Sequence, residues 1–306
     1  MTEVAKSIDA CSAYYGADAE EMKAYLLDGE QRALALANRG PLIFDGHGDL
    51  DPAIREAYSR YGFYIFEGVI DAAELQDIRA DLDAMRARFP TGPESRVDAQ
   101  GEPGLGVDHS ALTLVWSKPL GDPLGGTDLA NGRHEIKMFE PAAASDTPAA
   151  APFLLLGSLQ FSDACLRVYG HPLLLQVAEQ INGPDFAPFN EALFIKDPGI
   201  GAAVSWHQDG VTHWDSDQFE EDIHGFNFMA QVYGSTAVNG VWVLPGTHKQ
   251  GKLDIKALVA ESGSERLKGA LPLICNPGDV VIGNRQLLRG SFPNCGFKPR
   301  VTVDLG

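Results

Sequence analysis

Basic residues are scarce in this chain: 24 Lys and Arg stand against 42 Asp and Glu over 306 residues, a formal charge of −18. Nucleic acid and anionic membrane surfaces reward clustered Lys and Arg, so the imbalance argues against both as partners. It also means that an anionic ligand needs a local basic pocket set against the overall field. Cysteine is sparse too. Cys11, Cys165, Cys275 and Cys295 show no C-x-x-C spacing and make no disulfide framework in a chain this long, so reduced thiols are expected. No apolar run approaches the roughly 20 residues of a membrane span. The start, MTEVAKSIDACSAYYGADAEE, is polar and acidic and lacks a signal-peptide core. A cytoplasmic protein is therefore expected. Apolar residues are abundant at 44%, enough for a large core. One domain over 1–306 is expected, with a helical N-terminal part (1–62) ahead of the core (63–306).

Helical patterning is expected over 17–38, where acids come early and Asn-Arg-Gly closes the run. It returns at 53–62, where Asp51 suits an N-cap with Pro52 at the first helical position. Asp71 and Glu74 are spaced nearly as a capping box, and Leu75, Ile78, Leu82 and Met85 give the helix they open an apolar stripe. A further short helix is expected at 171–182. Phe63, Tyr64, Ile65 and Phe66 form an aromatic and β-branched strand pattern. Residues 134–139 read as a strand between two long loops, 91–108 and 141–152, which at that length are either disordered or lids. From 190 onward short strand patterns follow at 191–196, 202–209, 226–233, 240–244, 279–284 and 300–305, separated by Pro-Gly and Asn-Gly turns. Many short strands after a helical start predict a mainly β sandwich or jelly roll with flanking helices. The final strand pattern runs to the last residue, which raises the expectation that the natural chain continues past 306.

Within the strand region, Trp206-His207-Gln208-Asp209 sets an imidazole and a carboxylate two residues apart. Residues i and i+2 of a strand share a face, so the pair can converge on one point. It supplies two-thirds of the 2-His-1-carboxylate triad that holds non-haem Fe(II). Alone, such a pair is more often a surface His and an Asp in a turn.

The order of motifs around it carries more. Phe63, Gly68, Asp71 and Glu74 come first, then Lys196-Asp197-Pro198-Gly199, the His-x-Asp pair, and Asn239-Gly240 leading to Pro245-Gly246-Thr247-His248-Lys249. Pro277-Gly278-Asp279, Gly290-Ser291 with Asn294, and Arg300 follow. In this order they resemble the phytanoyl-CoA dioxygenase family of Fe(II)/2-oxoglutarate-dependent oxygenases, from residue 63 to the C-terminus. The resemblance implies a double-stranded β-helix (jelly roll, cupin-like) that holds Fe(II) through His207 and Asp209. It implies O2 and 2-oxoglutarate as co-substrates and hydroxylation of a small organic molecule as 2-oxoglutarate is converted to succinate. Arg300 stands at the position whose guanidinium meets the far carboxylate of 2-oxoglutarate, a geometry that suits a fork better than a lysine. Its alternative is a strand arginine in a surface ion pair. Ser291 would add a hydroxyl to the same carboxylate, and Lys137 matches a co-substrate-contacting lysine. Gln231, Trp206, Trp214 and Phe228 lie on or beside strands expected to line the pocket, although Phe228 and Trp242 read equally as core aromatics.

One position departs from the family. Where its second iron-binding histidine belongs, eleven residues before Arg300, this chain has Arg289. A guanidinium offers no lone pair and cannot ligate a cation. His213 and His224 follow the His-x-Asp pair but read as solvated loop residues; His248 reads as a scaffold turn. His47, His109, His134 and His171 lie far upstream. Three readings stay open: an oxygenase with a weakened iron site, a pseudo-enzyme or binding module in which Arg289 pairs with Asp209, or a chance or engineered variant of an ordinary oxygenase. A cupin-like isomerase or hydrolase using His207 and Asp209 is the alternative outside the family; it has no use for Arg300.

Overall fold

Residues 3–210 and 225–306 are described by a computed structural model. Helices Glu3–Ala13 (α1) and Ala19–Ala35 (α2) lead through the short strand Arg39–Gly40 (β1) to helix Pro52–Tyr61 (α3), strand Phe63–Phe66 (β2) and helix Ala72–Ala87 (α4). Strands Leu114–Ser117 (β3) and Ala151–Leu156 (β4) precede helices Asp163–Tyr169 (α5) and Pro172–Asn182 (α6). Then come Glu191–Lys196 (β5), Val204–His207 (β6), Phe226–Gln231 (β7), Trp242–Val243 (β8), a short helix Ile255–Ser262, Leu271–Pro272 (β9), Val280–Asn284 (β10), Arg289–Ser291 (β11) and Arg300–Leu305 (β12).

The punctuation expected from sequence does its work. Asp51 accepts a hydrogen bond from the Ala53 amide with Pro52 opening α3, and Gly62 closes it at φ 83°, a conformation open to glycine. Asp71 accepts from Ala73 and Glu74 while the Glu74 carboxylate accepts from the Asp71 amide, a complete capping box for α4.

Eight strands form one sheet in the order β1-β2-β10-β7-β12-β5-β4-β3, antiparallel except for β1 with β2. Four form a second sheet, β6-β11-β8-β9. Alternation along the large sheet separates two environments. Val301, Val303 and Leu305 of β12 join Leu193 and Ile195 of β5 in a core shared with α3 to α6. Arg300, Thr302 and Asp304 point the other way, into a cavity. The small sheet has its own cover: Trp206, Trp242 and Phe292 pack with Ile8 and Cys11 of α1 and Met22 and Leu26 of α2. Gly29 lets α2 approach closely, since a Cβ there would lie 2.3 Å from the Trp242 ring. Two sheets facing each other across a cavity, each backed by helices, make the expected jelly roll.

Several local expectations fail. Residues 134–139 form no strand; that stretch is irregular and turns His134 inward to Ser205. The strand expected at 202–209 ends at His207, so Asp209 projects from the following turn rather than from a pleat. The strand Ala151–Leu156 overlaps the expected 141–152 loop only at that loop's last two residues. His213, Trp214 and His224 lie outside the described residues.

Candidate active site

A cavity of about 240 Å³ opens between the sheets. Ala192 and Phe194 of β5, Asn227 and Met229 of β7, and Arg300, Thr302 and Asp304 of β12 form one wall. His207, Arg289 and Ser291 of the small sheet form the other, and Leu124, Arg133 and His134 close a side. Among the described residues four arginines (133, 285, 289, 300) and two aspartates (209, 304) line it, an excess of positive charge on these walls inside a strongly acidic chain.

Gln208 fixes the turn that carries the His-x-Asp pair. Its amide donates to the Gly251 and Gln286 carbonyls at 3.1 and 2.6 Å, and its Oε1 accepts from the Leu253 amide at 2.9 Å. His207 Nδ1 donates to the Ser205 carbonyl at 2.8 Å, which leaves Nε2 as the lone-pair nitrogen. Burial, then the neighbouring Arg289 and Arg133, hold the His207 pKa well below its ordinary value, so the ring is neutral. His207 Nε2 lies 3.5 Å from Asp209 Oδ1. Two acceptors this close call for a cation beside them.

Arginine supplies it. Arg289 and His207 are cross-strand partners of β11 and β6, so their side chains share a face. Arg289 Nη2 contacts Asp209 Oδ2, and Arg133 Nε stands 3.0 Å from Oδ1, placed as a charge contact rather than an aligned hydrogen bond. Asp209 is thus clamped between two guanidiniums. Arg289 also reaches the Asn227 Oδ1 at 3.5 Å, and Asn227 Nδ2 donates to Asp304 at 3.0 Å. His134 completes the cluster: its ring centroid is 4.3 Å from that of His207, and Nδ1 meets Ser205 Oγ at 3.0 Å. Burial and the neighbouring His207 push its pKa down to about 2.

At the other end, Arg300 Nε donates to Thr302 Oγ1 at 3.0 Å and Thr302 Oγ1 donates to Gln231 Oε1 at 3.1 Å. Arg300 Nη1 reaches the Asn239 carbonyl at 3.5 Å. This relay holds the fork rigid at the cavity wall. The wholly buried Lys196 donates to Ser291 Oγ at 3.0 Å and to the Phe292 carbonyl, fixing the second polar group of that end. Burial, then the Arg300 charge, lower the Lys196 pKa well below its usual value.

The structure therefore brings together His207, Asp209, Arg289, Ser291 and Arg300 on one cavity. It does not bring in Lys137, whose ammonium pairs with Glu140 at 3.3 Å on a side chain 53% exposed. Gln231 acts from behind, through Thr302. Trp206 and Phe228 belong to the two helix-facing cores, and the Trp206 indole donates to the Glu265 carbonyl. Neither expected lid contributes: 124–134 lines the cavity instead of 91–108 or 141–152. Sequence reasoning does not find Arg133, His134, Arg285 or Asp304 as site residues. For Asp304 a signal exists, since it shares the β12 face with Arg300; the others arrive by long-range folding.

The residues present do not fit Fe(II). Among the described residues a third protein donor is missing, Asp209 is already neutralised, and the Arg289 guanidinium, which cannot ligate a cation, lies against it. Among the described residues no group of three His, Cys, Asp or Glu side chains converges to hold a metal.

Comparison with known proteins bears on the scaffold. The chain matches crystal structures of AviO1 from Streptomyces viridochromogenes Tue57 (18% identity, TM-score 0.52, 82% of this chain and 90% of that one) and of EctD from S. alaskensis. The EctD structure with 2-oxoglutarate and 5-hydroxyectoine shares 18% identity at TM-score 0.56, covering 86% of this chain and 78% of that one. EvdMO1 matches with 18% identity and TM-score 0.52 over 81% of this chain, which spans 47% of its length. A search of curated protein sequences finds no match. At these identities the likeness establishes the fold. The sequence model of the phytanoyl-CoA dioxygenase family, whose members use Fe(II), 2-oxoglutarate and O2, matches residues 58–302. By that match, over most of its length, the chain belongs to the phytanoyl-CoA dioxygenase (PhyH) family.

Proposed function

We propose that this oxygenase-family protein binds 2-oxoglutarate or a similar dicarboxylate together with a small organic molecule, on a scaffold whose iron site Arg289 has closed. The clamp on Asp209, with Arg289 on one oxygen and Arg133 beside the other, carries the reading. A carboxylate held this way has its counter-charge, and a divalent cation would have to displace a buried guanidinium to reach it. Arg300, Ser291 and Thr302 keep the dicarboxylate end intact and rigid.

A second reading keeps catalysis: a 2-oxoglutarate-dependent hydroxylase with a weakened iron site. The 3.5 Å approach of His207 Nε2 to Asp209 Oδ1 favours it, because both acceptors already face one point. The isomerase or hydrolase alternative gains no support, since no third donor lies nearby among the described residues.

Calorimetric binding of Mn(II) and 2-oxoglutarate, with succinate formation in the presence of Fe(II), tests the choice. The binding reading expects 2-oxoglutarate to bind without metal and succinate to stay at background. Tight metal binding with sustained succinate formation would overturn it in favour of the hydroxylase.

A further inference from the structure

Arg300 and Asp304 share the inward face of β12, about 13 Å apart along the strand at about 3.3 Å per residue. At the Asp304 end stands a guanidinium that the proposed dicarboxylate site leaves unused. Arg285 follows β10 directly. Its backbone is pinned from both sides: the amide donates to the Gly225 carbonyl and its carbonyl accepts from the Gly210 amide, each at 2.9 Å. Its guanidinium lies 4.1 Å over the Phe189 ring. The residue is 8% exposed and its Nε has no hydrogen-bond partner among the described residues. Arg289 is equally buried, and its Nη1 is likewise without a partner on the same cavity.

Charge counting points the same way. Asp209 is spent on Arg289 and Arg133, and Asp304 is shared among Arg289, Arg300 and Arg285. Asp304 is thus the counter-charge for three guanidiniums, and among the described residues the cavity wall offers no further free carboxylate, so a rigidly mounted guanidinium with an unsatisfied Nε suits an anion. A five-carbon dicarboxylate spans about 6 Å at most between its carboxyl carbons, four bonds of about 1.5 Å, which is less than half the backbone distance between Arg300 and Asp304, so one seated on Arg300 leaves the Arg285 end open to a second ligand. Between the ends the wall is apolar, with Leu154, Leu156, Ala192, Phe194 and Met229.

We infer that Arg285, with the free edge of Arg289, forms a second anion subsite that receives the carboxylate or phosphate of an organic ligand whose apolar body lies along β5 and β7. The ligand class is a small amphiphilic anion, bound beside the dicarboxylate. The inference rests on the proposed function in one respect only, the assignment of 2-oxoglutarate to the Arg300 end.

The test uses the full chain in calorimetric titrations with inorganic phosphate and hexanoate, each alone and after saturation with 2-oxoglutarate. Both probes are expected to bind in either condition. R285Q is expected to weaken them at least tenfold while changing 2-oxoglutarate affinity less than twofold; R300Q is expected to do the reverse. Failure of 2-oxoglutarate to bind, or its insensitivity to R300Q, would count against the Arg300 assignment and leave the arm without 2-oxoglutarate to judge Arg285. R285K keeps the charge and removes the fork, and a threefold or greater weakening is expected from it if R285Q does not fold. Probe affinity unchanged by either Arg285 substitution, displacement of the probes by 2-oxoglutarate, or no probe binding to the natural chain overturns the subsite. Preference between phosphate and hexanoate identifies which anionic group the ligand carries.

Discussion

Arg289 faces His207 across the β6–β11 pair, and its guanidinium closes on Asp209 two residues further along. The residue beside the His-x-Asp pair thus completes an ion pair rather than offering a lone pair. The cationic place is kept while its occupant becomes part of the chain.

Replacing Arg289 with histidine is the direct reversal. R289H is expected to raise Mn(II) affinity by at least about tenfold, the lower end of what ligand-shell changes do at metal sites. Electron paramagnetic resonance of bound Mn(II) reads it, and Fe(II)-dependent succinate formation should rise with it. Equal metal affinity in both proteins would mean that Arg289 does not block the site.

The clamp also makes a stability prediction. D209A leaves Arg133 and Arg289 facing each other without their shared carboxylate, at a cost of about 3–5 kcal/mol. Urea unfolding measures it. The double variant D209A/R289M should recover part of that stability, and with R289M measured alone the double-mutant cycle isolates the pair.

R300Q removes a charged fork but leaves a hydrogen-bonding side chain for Thr302. A hydrogen bond to a charged group is worth about 1.5–3 kcal/mol, so its removal corresponds to about 10- to 100-fold weaker 2-oxoglutarate binding. R300K should recover only part, because a point charge does not reproduce the fork.

G29A tests how α2 rests on the small sheet. Alanine is the better helix former by about 0.5–1 kcal/mol. Here, however, the new methyl would lie 2.3 Å from one Trp242 ring atom and 3.2 Å from Pro272, so a net destabilisation of about 1–3 kcal/mol is expected from overpacking. Thermal unfolding decides the sign.

Thiol titration provides a pH test. Burial pushes the Cys275 thiol up to about 12 and the Cys165 thiol up to about 11. Both stay protonated at pH 8, where an unfolded cysteine already carries appreciable thiolate. A disulfide reagent should therefore label neither in the native protein and both rapidly in urea.

Much of the fold and part of the site are legible in the residues in order, and the failures have a common cause. The patterns at 191–196 and 300–305 form β5 and β12 with the same bounds, and in β12 polar and apolar residues alternate, which marks a strand with one apolar face. Arg289 and Arg300, singled out by their place in ordered motifs, both line the cavity. By contrast, β11 is only three residues long, too short for any period. Residues 134–139 carry a strand-like composition, yet the buried contact of His134 with Ser205, 71 positions away, overrides it. Arg133 and Arg285 reach the cavity through the same kind of remote packing, which no local spacing encodes. Lys137 lies three residues from the right place: Arg133 and His134 face inward while it pairs with Glu140.

The two helical covers do unequal jobs. Behind His207, Trp206 is wedged among side chains from α1, α2 and β8, so residues 3–35 act as a buttress for a cavity whose described lining they do not join. Loosening that buttress would let β6 drift, and with it the register in which His207, Asp209 and Arg289 meet. Variation in the N-terminal helices is therefore a remote control on ligand affinity, exerted through the back of the wall rather than through its face.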